Sequence, residues 1–401
     1  MYRYIDNGSV TTPQGFKAAG IFCGIKKKRK DLALITSDVP CTPAGVFTTN
    51  MVQAAPVLLS KDVVGNNNSV SALICNSGNA NACTGEQGYK DALQMQMYTA
   101  GLLGVSKDSV IVSSTGVIGQ TLPMKNVMDG IEKVIPELSY DGGLDAAAAI
   151  MTTDTKLKSF AVEIPMGKAN VKIGCIAKGS GMIMPNMATM LAFLTTDAKV
   201  EKSLLQEMLT AAINKSFNKI SVDGETSTND MAILLANGKS EVEIFAGSEK
   251  QKAFQEALND ICIKAAKSIV SDGEGATKLI TINVTGADTN EDANLVGKTI
   301  ANSPLVKTAI YGEDANWGRI LSSAGMSGAR INASKTSVFF NDLPVLLPNY
   351  QIVLDEEKAA KVLANKEFSI NINLNGGAGS STWWTCDFTE DYVKINSRYR
   401  T

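Results

Sequence analysis

The sequence contains no histidine. That absence excludes, within this chain, every Ser-His-Asp and Cys-His catalytic arrangement and every HExxH zinc site. Covalent chemistry here must take its base from a lysine, a carboxylate or an α-amine. Cysteine is sparse: Cys23, Cys41, Cys75, Cys83, Cys175, Cys262 and Cys386 are scattered, 7 in number, with no CxxC pair. Reduced thiols are expected, with neither a disulfide framework nor a bound metal. Charge of one sign is missing too. Lys+Arg number 38 against 40 Asp+Glu, a formal net charge of −2, so no strong field draws nucleic acid or an anionic membrane. No apolar run reaches the ~20 residues of a membrane span. The start, "MYRYIDNGSVTTPQGF", has no apolar signal core, and a cytoplasmic location is expected. "VGKT", Val296–Thr299, misses the phosphate-loop pattern because position 292 is Asp292 where glycine is required.

What is present suits a large globular chain. The 401 residues are 44% hydrophobic, enough for two or three cores. Strand patterns recur at Ala18–Ile25, Leu32–Thr36, Val70–Cys75, Val110–Ser113, Val171–Ala177, Ile220–Val222, Leu279–Val284 and Val338–Phe340. Helical periodicity appears at Tyr89–Leu103, Met124–Leu138, Leu204–Lys215, Lys250–Ile269 and Glu356–Leu363. Interleaving of the two predicts an α/β or α+β sandwich. "GADTNEDAN", Gly286–Asn294, reads as the opening of a linker or loop, and a smaller C-terminal domain is placed from residue 278. "KKKRK", Lys26–Lys30, reads as a solvated hairpin tip. "NGGAGSS", Asn375–Ser381, reads as a turn.

The stretch "KGSGMIMPNMATMLAFLTTDA", Lys178–Ala198, poses the chemical question. Met182 to Leu194 is mostly apolar, yet Thr189 carries a hydroxyl into it. A threonine works as a nucleophile without histidine if its own α-amine is the base. That amine, with a pKa of roughly 7.7–8.0, is suited to general-base work near neutral pH. Thr189 becomes N-terminal if its hydroxyl attacks the carbonyl of Ala188, the amide shifts to an ester, and water cleaves it. Such a shift needs a strained, tightly held backbone. Ala188 leaves room for it, and Gly179, Gly181 and Pro185 fit a shaped turn. A Met-rich core segment whose threonine bonds to backbone fits the same residues.

The whole stretch resembles the self-cleaving signature of the ornithine acetyltransferase (glutamate N-acetyltransferase, ArgJ) family of arginine biosynthesis. Further blocks resemble that family in the same order: "ICNSGNANACTG" at Ile74–Gly85, "SSTGVIG" at Ser113–Gly119, "MTTDT" at Met151–Thr155, "SVDGETSTND" at Ser221–Asp230 and "SDGEGATK" at Ser271–Lys278. "YGEDANWGRI" at Tyr311–Ile320 and "CDFTEDYVKINSRYRT" at Cys386–Thr401 extend the resemblance to the last residue. It implies an N-terminal-nucleophile-type αββα sandwich, related to that of self-processing aminopeptidases, with a smaller C-terminal α/β domain. It implies self-cleavage between Ala188 and Thr189. An α chain of residues 1–188 would form the first part of the sandwich. Residues 189–277 would complete it, and residues 278–401 would form the C-terminal domain. Thr189 would then carry acetyl from N-acetylornithine to glutamate without a cofactor, acetyl-CoA serving some members as a second donor.

Residue roles follow from the same resemblance. Thr115 and Gly116 match the oxyanion hole. Thr153, Lys178, Thr189, Glu274, Asn396 and Thr401 match substrate-binding positions. A lysine suits a substrate carboxylate and a glutamate an ammonium. Without the resemblance, Lys178 and Glu274 read as surface charges, Thr115-Gly116 as a turn and the C-terminus as a frayed tail. The family implies a two-α, two-β assembly. A hydrolase using the same threonine, and an inactive relative acting as a binding subunit, are the competing readings.

Overall fold

The computed structural model describes residues 2–66, 69–184 and 190–398. The chain divides into two compact units. The first comprises Met1–Asn218 and Glu225–Ile269; the second comprises Lys219–Gly224 and Val270–Thr401. The second unit thus begins ahead of residue 278, where the sequence analysis placed it, and takes in a short segment from earlier in the chain.

The first unit is built on one strand, Leu32–Phe47. Its residues 32–37 pair antiparallel with Phe16–Ile21, and residues 32–36 with the Val70–Asn79 strand. Its residues 42–47 pair antiparallel with Met231–Ala236. The register breaks between Thr36 and Cys41, around Pro40, which has no N–H to give a ladder. One long strand therefore passes from one half of a sheet to the other. The half beyond the bend continues through Leu191–Thr196, Asn170–Lys178, Lys158–Pro165 and Arg3–Tyr4. The other half ends on Val110–Val117, parallel to Val70–Asn79.

Alternation explains the layers. Ala33, Ile35, Leu73, Cys75 and Ile111 share a core cluster with Ile176, Leu191, Phe193, Met231 and Ile233, so the two halves of the sheet face each other. Their neighbours Leu32, Leu34, Ala72, Ile74, Val110 and Val112 point the other way, as successive strand side chains must. They meet Ala92 and Met95 of the Gly85–Leu103 helix and Val127 and Ile131 of the Met124–Val134 helix. Each such fully buried aliphatic side chain contributes about 1.5–3 kcal/mol. Beyond the other half, the Gln206 carboxamide in the Lys202–Lys215 helix bonds both the N–H and the C=O of Gly45. In the Glu249–Ser271 helix, Gln255 donates to Met208 O, and Asp260 accepts from the Tyr4 hydroxyl. The order helix, sheet, sheet, helix is the expected αββα sandwich.

The second unit is a mixed sheet with helices. Leu279–Ala287 runs parallel to Glu367–Asn373 and antiparallel to Gly379–Cys386. "GADTNEDAN" is not a linker: it ends the Leu279–Ala287 strand and opens the Asn290–Ala301 helix. Thr289 caps that helix, its hydroxyl accepting from Asp292 N at 3.0 Å. The segment's polarity is that of a helix start, T-x-x-D. "VGKT" lies inside this helix, and a Cβ on Gly297 would come within 2.6 Å of Trp383. That glycine admits an indole, not a phosphate. "NGGAGSS" turns between two strands, with Asn375 at φ 50°. Among the described residues no helix is long and apolar enough to cross a membrane.

Candidate active site

Thr115 and Gly116 lie at the end of Val110–Val117, where it pairs with Val70–Asn79. Gly78 is the register partner of Gly116. Gly116 sits at φ +136°, and a Cβ there would lie 2.3 Å from Gly78 C and 2.5 Å from Asn79 N. Only glycine fits. Thr115 beside it is buried.

Asparagines fix this strand end. Asn229 donates to Ser114 O at 2.9 Å and to Ala80 O at 2.6 Å, and accepts from the Thr228 hydroxyl at 2.6 Å. Asn76 accepts from the Ser114 hydroxyl at 2.5 Å and donates to Asn79 O at 2.9 Å. Asn79 donates to Gln120 O and Thr121 O. Buried amides with this many partners are rigid. Within Ile74–Gly85 it is the asparagines that hold the strand carrying Thr115. Cys75 and Cys83 are free thiols, and burial pushes Cys75 up to about 12.

Lys178 ends the Asn170–Lys178 strand and is the register partner of Leu191, which follows Thr189 by two residues. Leu191 in turn pairs with Met231, directly after Asp230. Three neighbouring strands thus present Lys178, Leu191 and Met231 at one end. Lys178 is 2% exposed, not a surface charge. Burial depresses its pKa, against the pull of Asp154 and Asp230. Its ammonium donates to Thr152 Oγ1 at 3.0 Å. Asp154, fully buried, accepts from Gly179 N at 2.8 Å, Thr152 N at 3.0 Å and Lys158 Nζ at 2.7 Å. Burial alone would raise its pKa; the charges of Lys158 and Lys178 outweigh that and bring it to about 2. Thr153, between these partners, is half-buried.

Upstream of residue 185 the turn is held and strained. Met184 N donates to Glu225 O at 2.9 Å, and the Thr226 hydroxyl donates to Met184 O at 3.2 Å. Met182 has φ +57°, a left-handed conformation that costs a long side chain about 1–2 kcal/mol. Ala188, Thr189 and Thr401 lie outside the described residues.

In the second unit Asn396 Nδ2 donates to Glu274 Oε2 at 2.9 Å. Glu274 is buried, and Asn396 lies on the Glu390–Ser397 helix, capped by Thr389. The tail is therefore helical over Glu390–Ser397, where fraying was the alternative. Gly275, at φ +71°, lets that helix approach: a Cβ would sit 2.6 Å from Tyr392 N. Glu313 pairs with Lys278 at 2.8 Å, and Arg319 donates to Leu305 O at 2.9 Å.

The ArgJ family model matches residues 17–401. The chain belongs to the ArgJ family. It is 49% identical to the arginine biosynthesis bifunctional protein ArgJ of Chlorobaculum tepidum, over 98% of this chain and 97% of that one. It is 49% identical to the same-named protein of Symbiobacterium thermophilum, over 98% and 99%. Among solved structures it is similar to an ornithine acetyltransferase complexed with ornithine from Mycobacterium tuberculosis. That match has 40% identity, 46% of this chain and 98% of that one covered, and TM-score 0.43. ArgJ relatives are similar to this chain from end to end, so all its sequence blocks fall within the matched span.

Sequence reasoning missed Asp154, Asn229 and Asp31. Asn229 and Asp154 make decisive contacts with residues distant along the chain, Ala80, Ser114 and Gly179, whereas Asp31 binds nearby backbone amides. For Asp154 the signal was present, an acid between two family threonines.

Proposed function

We propose that this chain is a self-cleaving acetyltransferase that moves acetyl from N2-acetyl-L-ornithine to L-glutamate. The scissile bond is Ala188–Thr189. The freed α-amine of Thr189 takes the proton of its own hydroxyl as Oγ attacks the acetyl carbonyl. Thr115 Oγ1 and the Gly116 N–H stabilise the alkoxide. The proton passes to the departing ornithine amine, leaving an acetyl ester on Thr189. The glutamate α-amine attacks that ester and leaves as N-acetylglutamate. Thr153, Lys178, Glu274, Asn396 and Thr401 bind the substrates, Lys178 toward a carboxylate and Glu274 toward the ornithine ammonium. The cycle needs no cofactor; acetyl-CoA is the candidate second donor. We place the enzyme in the cytoplasm as a two-α, two-β assembly.

The observation that supports this most is the convergence of separate blocks. Lys178, Leu191 and Met231 are register neighbours, and Asn229, two residues before Met231, holds Ser114 of the oxyanion strand. Intact-protein mass spectrometry tests it. Fresh protein should yield two fragments, the second starting at Thr189, and Thr189→Ala should stay whole. With N-acetylornithine alone, the second fragment should gain one acetyl group. Ornithine released steadily without glutamate would instead identify a hydrolase; a well-folded chain that never cuts would identify a binding subunit.

A further inference from the structure

The basic run Lys26–Lys30 is not simply a solvated hairpin tip. Lys27 and Lys28 are exposed as expected, but the loop is wound around a buried acid. The Asp31 carboxylate accepts four successive backbone N–H groups: Cys23 at 2.6 Å, Gly24 at 3.1 Å, Ile25 at 2.8 Å and Lys26 at 2.8 Å. Such a nest of amides around an anion fixes the loop's curvature. It turns Lys26 inward, where the side chain is half-buried.

The ammonium of Lys26 donates to Met151 O at 2.6 Å and to Lys30 O at 2.8 Å. Arg29 reaches Asp154 O at 3.3 Å, and Lys30 pairs with Asp145. The loop is thus bolted to the chain that runs from residue 145 to 154. Met151 immediately precedes Thr152, which accepts from Lys178, and Thr153. The stem of Lys26 also passes the Val70–Asn79 strand, where that strand pairs with the one carrying Gly116. A Cβ on Gly78, the partner of Gly116, would lie 2.8 Å from Lys26 Cγ.

We propose that Lys26 is a positioning residue of the acyl-transfer site, clamping Met151 O so that Thr152, Thr153 and Lys178 are held in one arrangement. This rests on the reading of Thr153 and Lys178 as substrate-binding residues. The charge is costly where it sits. Burial lowers the Lys26 pKa to about 8; Asp31 opposes that shift, while Lys178 and Arg29 add to it. An apolar side chain would fill the same space without placing a cation near Lys178. The two carbonyl contacts are what only a long cationic donor supplies.

The test is steady-state kinetics of the self-cleaved enzyme for both substrates, with thermal unfolding and intact mass on each variant. Lys26→Met should still cut itself and unfold near the parent. Its KM for N-acetylornithine and for glutamate should rise about tenfold or more, with kcat changed much less, as expected when a group that orients bound substrate is loosened. Lys26→Arg should recover most of the loss. Lys28→Met, which removes the same charge from the exposed part of the loop, should match the parent. A parental KM in Lys26→Met, beside a raised KM in Thr153→Ala, overturns the role of Lys26 alone. An unchanged KM in both overturns the substrate-site reading as well. If Lys26→Met fails to fold, Lys26→Gln takes its place. A raised KM that tracks a fall in unfolding temperature, with no rescue by Lys26→Arg, reduces Lys26 to a structural residue and overturns the proposal.

Discussion

Gly78 and Gly116 face each other across two parallel strands, and a methyl group on Gly116 would lie 2.3 Å from the carbonyl carbon of Gly78. The obstacle is backbone, which cannot swing aside as a side chain can, and φ at Gly116 is +136°, where a Cβ is strained in any case. Gly116→Ala should therefore push the two strand ends apart and displace the Thr115 hydroxyl and the residue-116 N–H together. Losing such donors costs on the order of 100-fold or more in turnover. Gly119 is the control: its φ is also positive, +79°, but nothing lies within 4 Å of its Cβ position. Gly119→Ala should cost about 1 kcal/mol of stability and leave turnover near normal. Equal turnover in the two variants would show that backbone strain, not the clash at Gly78, governs the site.

The buried Asp154–Lys158 pair makes an acid-stability prediction. The folded-state pKa of Asp154 is lowered to about 2, below the ordinary aspartate value of about 3.9. A lowered value means that the folded state holds its proton less tightly than the unfolded chain does. The stabilisation is therefore complete above about pH 4 and is lost as pH falls toward 2, an amount of roughly 2–3 kcal/mol. Asp154→Asn should remove this slope from the acid limb of a stability-versus-pH curve. At neutral pH it should cost roughly 3–5 kcal/mol, because Lys158 stays buried after its carboxylate is gone. Urea unfolding at a series of pH values measures both. An unchanged acid limb would place the ionised pair elsewhere.

The fold was legible where one face of an element is buried and the other is wet. The Gly85–Leu103, Met124–Val134 and Glu249–Ser271 helices all follow that rule. Leu191–Thr196 and Met231–Ala236 were missed, and every residue in both is buried. A strand covered on both faces has no alternation to read. The Gly143–Ile150 helix, "GLDAAAAI", gives no contrast between faces because its sequence is almost wholly apolar, its exposed Leu144 included. Within the site, the types and order of residues were readable, but their burial was not. Lys178 and Glu274 have the composition of surface charges. What buries Lys178 is the pairing of its strand end with Leu191 and the Asp154 carboxylate 24 positions upstream in sequence. The basic loop was misread because Asp31, one residue past the run, acts on backbone amides that composition does not reveal.

Glu274 and Asn396 should separate the two substrates. N-acetylornithine carries a side-chain ammonium, whereas glutamate carries a carboxylate there. Glu274→Gln removes the negative charge while keeping the shape that accepts from Asn396 Nδ2. Its KM for N-acetylornithine should rise about 10- to 100-fold, in keeping with a lost charge-assisted hydrogen bond. KM for glutamate should hardly change. Asn396→Ala leaves the charge in place but frees its orientation, so a smaller rise for the same substrate is expected. Equal rises for both substrates in Glu274→Gln would remove the ammonium from its list of contacts.

Met182 is a strained residue a short way upstream of the proposed Ala188–Thr189 scissile bond. It holds φ +57°, and the next turn is tied down by Glu225 and Thr226 at Met184. Tied at one end and strained at the other, this backbone can favour the shift from amide to ester by destabilising the uncut chain. Glycine takes positive φ without penalty. Met182→Gly should therefore relax the precursor, leaving its stability equal or higher by about 1 kcal/mol, and slow the appearance of the two fragments. Once cut, the variant should transfer acetyl at close to the normal rate, because the acyl cycle breaks no peptide bond. The time course of cleavage after rapid purification, followed by intact mass, reads the first effect; turnover of the fully cut enzyme reads the second. Cleavage at the parental rate would mean that the strain at Met182 serves the shape of the finished site and not its formation.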